Sequence, residues 1–322
     1  MDYKPQAISA GKIAYDLLTT PSTGIVYAVF RRTFYLKKTG DQSTIEAQTN
    51  SDSKTNTLNS QTLNPRSIHS PVLCCIGRTE LAHGPLNVST TLSHTPQVSI
   101  GDHWFSDQQL VTIGNIELDL SNASVWLPST TRQSVIPGEA AVDLLARYLS
   151  DNTPRSQSPG RIDEIIAGQL LNASNQLLQW LKQPANWHSP FPDKLLGCGD
   201  GLTPAGDDIV VGALLALHLW NKSAFEKLVA EVKERINTTS DISAAHLLAA
   251  CSGSGIATLH HLIESIGIPI GDQLTCTVYC NKYRSEQILK ATNTLCNYGH
   301  SSGYCAMRGV LIAARSQPHR PQ

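Results

Sequence analysis

Two periodicities divide this chain. Up to about residue 136, apolar residues come in short runs or alternate with polar ones, and beyond Pro137 they recur every three to four positions. Gly24–Leu36 (GIVYAVFRRTFYL) is rich in β-branched and aromatic residues and predicts a strand. Pro71–Gly77, Leu86–Leu92, Val98–Ile100 and Leu110–Leu120 predict more strands, with turns at His83-Gly84-Pro85, Gly101-Asp102 and Gly114-Asn115. Ser121–Pro128 closes the region, and a short helix near Ile13–Leu18 precedes it. Residues 37–70 carry Ser, Thr, Asn, Gln and Lys with few bulky apolar side chains, which predicts a flexible insertion or long hairpin tip.

The second half predicts helices at Gly138–Leu149, Ile162–Leu181, Ile209–Trp220, Ala224–Ile236, Asp241–Ala250, Ile256–Ile266, Ser285–Leu295 and Gly303–Ala314. A polar linker at 151–160 and the stretch Lys182–Asp193, with Pro184, Trp187, Pro190 and Pro192, interrupt them. Leu274–Cys280 reads as a strand or extended connection. Strands first and helices after imply an α+β fold. Its parts are an N-terminal antiparallel β-sheet or barrel (1–136), a mostly helical domain (137–316) and a tail (317–322).

Composition narrows the function. With 41% hydrophobic residues the chain of 322 can bury two cores. The net charge of −1, with no basic stripe, argues against nucleic acid as a partner. Eight cysteines at irregular spacing, several in apolar runs, read as reduced thiols of a cytoplasmic protein. Cys276, Cys280, His260 and His261 lack the paired spacings of a zinc site. The N-terminus lacks a signal-peptide pattern, and the longest apolar run, Ile209–Trp220, is too short to span a bilayer, so no membrane partner is expected.

The chemistry concentrates at Gly197-Cys198-Gly199-Asp200-Gly201-Leu202-Thr203-Pro204-Ala205-Gly206-Asp207-Asp208, directly before the most apolar helix. Thr203 is a suitable N-cap and Pro204 a suitable first helical residue. The stretch reads either as a tight turn whose carboxylates complement the helix dipole, or as a ligand site whose free N–H groups attract an anion. Two further segments, Thr238–Ser243 and Gly299–Gly303, also open apolar helices and are rich in Gly, Ser or Thr. If the three starts converge, they form a small-anion pocket. Its binding members would be Gly199, Gly201, Thr203, Gly206, Thr239, Ser240, Ser301, Ser302, Gly303 and Arg308. Asp207, Asp208 and His300 are the candidate catalytic groups. No dedicated metal site is expected, although the two aspartates are of a type that binds Mg. Cys198 lies in the loop without a neighbouring base and is a weak nucleophile candidate.

Two families share parts of this pattern. Ala205–Leu215 resembles the Gly-Asp helix start of ribokinase-type small-molecule kinases, but those need alternating strands and helices throughout. Residues 197–212, 238–244 and 299–309, with Trp126-Leu127-Pro128 upstream, resemble the AllH family of oxamate carbamoyltransferase subunits in the same order. Asp200, Ala205 and Cys305 depart from that family's usual residues. The resemblance implies carbamoyl transfer between phosphate and the nitrogen of oxamate, within allantoin nitrogen catabolism, by an enzyme with partner subunits. The alternatives are a small-molecule kinase with the ribokinase-like helix start and a non-catalytic partner subunit, the latter motivated by the three departures.

Overall fold

The computed structural model describes residues 5–41, 73–92, 98–129, 135–153, 161–183, 190–269, 278–297 and 301–317. Most of the 37–70 insertion, His300 and Cys276 lie outside them. The chain divides into two units, Met1–Leu127 and Pro128–Gln322.

Among the described residues, the first unit is a nine-stranded sheet with one helix. Its elements are β1 (Ala7–Gly11), α1 (Lys12–Thr19), β2 (Ser22–Val29), β3 (Thr33–Asp41), β4 (Leu73–Arg78), β5 (Asn87–Thr90), β6 (His103–Asp107), β7 (Leu110–Ile113), β8 (Ile116–Asp119) and β9 (Ser124–Trp126). The strand order is β8-β7-β6-β2-β3-β4-β5-β1-β9. Most pairs are antiparallel, while β4–β5 and β1–β9 are parallel. The sheet curls, because Gln6 bridges to Asp119 and the Asp119 N–H donates to Pro5 O at 3.1 Å. Trp104, Phe34, Leu36, Ile76, Ile113 and Leu118 fill its core together with Leu18 of α1.

Three details differ from the sequence expectation. The run 24–36 is two strands, because Arg31 and Arg32 are exposed at the turn, where Phe30 N–H donates to Thr33 O at 2.7 Å. Val98–Ile100 is not a strand, and the strand lies at β6 instead. There Trp104 and Ser106 point inward, and Ser106 Oγ is satisfied by donating to Thr20 O at 2.9 Å. β1 precedes the expected first helix and was hidden by its small residues, Ala7, Ser9, Ala10 and Gly11.

The second unit contains α2 (Glu139–Asp151), α3 (Arg161–Lys182), α4 (Ala205–Trp220), α5 (Lys222–Arg235), a 3-10 turn (Ile236–Thr238), α6 (Asp241–Cys251), α7 (Ala257–Ile266), α8 (Val278–Cys296) and α9 (Ser302–Ser316). Strands β10 (Val135–Pro137) and β11 (Gly267–Pro269) form a two-stranded antiparallel sheet. Residues 278–280, expected to be extended, open α8. From Ile209 to Leu217 every residue of α4 but Val211 is buried, since α3, α5, α6, α7 and α9 all pack on it.

Helices α4 and α9 pack backbone against backbone. A Cβ on Gly309 would stand 1.9 Å from Ile209 O, and one on Gly212 would stand 1.9 Å from Ala306 O. Both glycines let the two backbones touch where side chains would separate them. Gly309→Ala should therefore destabilise the unit by about 3 kcal/mol through overpacking. In thermal unfolding followed by circular dichroism this appears as a Tm lower by about 6–12 °C.

Candidate functional site

The loop before α4 folds on itself rather than around an open space. Gly197, Gly199 and Gly201 have φ of +74°, +118° and +94°, a backbone that favours glycine. The N-cap of α4 is Pro204, which makes no side-chain cap, so Thr203 stands one residue before the position expected of it. The reason is a different partner: Thr203 Oγ1 lies 3.0 Å from Ser302 Oγ. Three amides in the first turn of α4 are committed within the protein. Gly206 N–H donates to Cys198 O at 2.8 Å, and those of Asp207 and Asp208 donate to Pro204 O at 2.9 and 3.2 Å. Gly206 is glycine because a Cβ there would sit 1.9 Å from Leu195 O.

Asp207 has 0% exposure and ties three segments together. Its Oδ1 accepts from Gly197 N–H at 2.7 Å. Its Oδ2 accepts from Thr239 Oγ1 and, at 2.6 Å, from Ser243 Oγ. Ser240 strengthens the same seam. Its hydroxyl donates to Leu202 O at 2.5 Å and accepts from Ser243 N–H at 3.1 Å as the N-cap of α6. A buried carboxylate with three donors is stable where a bare one would not be.

Asp208, one residue on, turns to α9. The Ser302 hydroxyl lies near its carboxyl, while Oδ2 is sealed from solvent with no partner among the described residues. Burial raises the carboxyl, the Ser302 hydroxyl partly offsets this, and the Asp207 charge adds to the rise, leaving it at about 7. Cys305, buried on α9, is pushed up to about 12 by burial and by Asp208, against the opposing pull of Arg308. Arg308 is half-buried and makes no hydrogen bond or ion pair among the described residues. Cys198 is raised by burial and then by Asp207, so the loop does not activate its thiol.

The three helix starts singled out by sequence therefore meet. Thr203, Asp207, Asp208, Thr239, Ser240 and Ser302 form one polar network. Ser301 is the N-cap of α9 without a side-chain cap bond. Gly199 and Gly201 lie on the loop, and Gly201 alone of the two faces open space. Gly303 packs on α8, where a Cβ would be 1.8 Å from Leu295 O. His300 lies outside the described residues. The sequence reading missed Ser243, a 2% exposed serine in the first turn of α6. Its signal was a hydroxyl on the face that the apolar residues mark as buried. Both oxygens of Asp207 are occupied, which leaves Asp208 with the unused one. Among the described residues, no three His, Cys, Asp or Glu side chains cluster as metal ligands do.

Residues 195–314 match the family model described as oxamate carbamoyltransferase subunit AllH. Over these residues the chain is AllH-like. The AllH-like segment opens at Leu195, whose carbonyl lies against Gly206, and ends in α9, so it contains all three helix starts. It begins after Trp126-Leu127-Pro128, which carries none of the match. No curated protein and no solved structure matches the chain. The described residues of the AllH-like segment hold a single strand, β11, rather than the alternating strands and helices a ribokinase-type fold needs. No helix among the described residues is long and apolar enough to cross a membrane.

Two outcomes are expected. Asp207→Asn keeps the shape but turns an amide N–H₂ either toward the two hydroxyl donors or toward the Gly197 N–H. It should cost about 1–3 kcal/mol in denaturant unfolding. Asp208 behaves differently. An unfolded aspartate titrates near ~4, whereas the folded one titrates at about 7. Its contribution to stability is full below the unfolded value and is lost as pH rises through the folded one. The Tm of Asp208→Asn minus that of wild type should therefore grow more positive from about pH 5 to about pH 8. A difference that stays constant across that range would count against the buried carboxyl.

Proposed function

We propose that this chain is a subunit of a carbamoyltransferase-type enzyme acting on small anions of the oxamate class. The meeting point of the three helix starts is its substrate site. One observation carries this reading: a carboxyl oxygen of Asp208 and the guanidinium of Arg308, neither with a hydrogen-bond partner among the described residues, flank Cys305 in the AllH-like segment. Two uncommitted groups of opposite character form a complement for a ligand with an N–H and a carboxylate.

The chemistry follows from those groups. Arg308 holds the carboxylate through paired N–H donors. The amide nitrogen attacks the carbamoyl carbon, forming a C–N bond while the C–O bond to phosphate breaks. Asp208 takes the proton that the nitrogen loses and later returns it to the departing phosphate or to water. A carboxyl at about 7 is poised for transfer in both directions near neutral pH. Asp207 acts as a positioning residue, since it fixes the first turn of α4 from which Asp208 projects. The family description as a subunit supports a protein partner in the complete enzyme. The AllH resemblance would place the reaction in allantoin nitrogen breakdown.

The alternative of a non-catalytic subunit rests on the departures at Asp200, Ala205 and Cys305. Cys305 replaces an acidic residue but stays buried beside Asp208, so the acidic function remains supplied by Asp208. The test is an assembled complex with its partner subunits, assayed for carbamoyl transfer from carbamoyl phosphate to oxamate. Asp208→Asn should lower kcat by about 10²–10³. Arg308→Ala should raise KM for oxamate by about tenfold or more. Full activity in both variants would leave this chain without a catalytic part.

A further inference from the structure

We infer that the groove along α3 receives an extended, uncharged segment of the partner subunit, held by its peptide backbone. This interaction surface lies apart from the proposed substrate site, and only the presence of a partner subunit is taken from that reading.

One face of α3 carries a line of side-chain amides. Gln169, Asn172, Gln176 and Gln179 follow one another at helical spacing, which sets them within about 80° around the axis. All four are exposed, and none makes a hydrogen bond among the described residues. They line a cavity of about 710 Å³ whose other wall is the segment Pro190–Lys194. That wall is tied to α3. The Phe191 and Trp180 rings pack edge to face with centres 5.4 Å apart, Lys227 lies 4.0 Å over Trp180, and Arg235 lies 5.5 Å over Phe191. The groove is therefore formed before a ligand arrives, which lowers the cost of binding one.

The lining selects the occupant. A primary amide offers an N–H donor and a carbonyl acceptor, the same pair that a peptide group presents. Over the ~21 Å of helix from Gln169 to Gln183, the cavity averages about 34 Å² in cross-section. A helix with its side chains fills about 80–110 Å², and an extended chain at sheet spacings about 50 Å². The extended form with small side chains is the one that fits, and it covers the length in about six residues. Asp193 and Lys194 add one charge of each sign, so neither a nucleic acid nor a charged tail finds its complement. A sugar would stack on an open aromatic face. Trp180 and Phe191 are each 2% exposed, and their rings are taken by each other and by Lys227 and Arg235. The family description as a subunit supplies a source for a peptide segment.

The probes are overlapping synthetic peptides that span the partner subunits of the assembled enzyme, titrated with the labelled full-length chain. An uncharged, strand-forming peptide should bind. The double variant Gln176→Glu/Gln179→Glu should weaken that binding, and assembly with the intact partner subunits, by about tenfold or more. Both positions are exposed, so the variant should keep the wild-type Tm, which shows that it is folded. N-methylation along the bound peptide should abolish binding at alternate residues and spare those between, the period of an extended chain gripped by its backbone. Binding retained at every methylated position overturns the inference, as does the absence of binding by every peptide. Assembly of the double variant at wild-type affinity overturns it too. So does self-association of wild type that the double variant abolishes, which makes a second copy the occupant. None of these outcomes involves Asp208 or Arg308, whose variants test the substrate site separately.

Discussion

A single buried carboxylate organises the AllH-like segment. Removing the charge of Asp207 from water is expensive, and the cost is met only while Gly197, Thr239 and Ser243 all donate to it. Those donors belong to the glycine loop, to the turn before α6 and to α6 itself. The loop, the start of α4 and the start of α6 are thus held as one piece. Successive helical residues are turned by about 100°, so an Asp207 committed to α6 leaves Asp208 aimed at α9. The roles of the two neighbours diverge for this geometric reason: one is spent on structure, and the other keeps an oxygen free.

The other constraint is the glycine crossing of α4 and α9. Gly212 and Gly309 bring the backbones into contact a few residues beyond the site. With Thr203 bonded to Ser302 at the helix starts, the two helices are pinned at both ends of the stretch that carries Asp208, Cys305 and Arg308. Groups placed on such pinned helices hold their separation better than groups on loops would. This permits a carboxyl and a guanidinium to lie near one cysteine without collapsing into an ion pair.

Much of this was legible in the sequence. The change of period after Pro137 separated strands from helices, and the three polar helix starts were visible as excess capping residues before apolar runs. What sequence could not supply was the partner of each hydroxyl. Thr203 looks like an N-cap by its place before Pro204, yet a contact 99 residues away takes it. Gly206 and Gly303 look like ligand-facing glycines, but backbone carbonyls of Leu195 and Leu295 fill that space. Ser243 belongs to the polar segment before α6 but not to the expected binding members, because a serine in a first helical turn does not reveal which distant group it will bond. In the sheet, Arg31 and Arg32 split what the β-branched residues on both sides made look continuous.

Ser302 has one hydroxyl proton and two neighbours that want it, Thr203 and Asp208. When Asp208 is ionised, the proton goes to the carboxylate, and Thr203 must then donate to Ser302. When Asp208 is protonated, it can donate in turn, and both hydroxyls are free to reverse. The orientation of the Thr203 hydroxyl therefore reports the charge of a carboxyl it does not touch. Through it, the loss or gain of a single proton inside the helical unit becomes a change in dipole at the glycine loop.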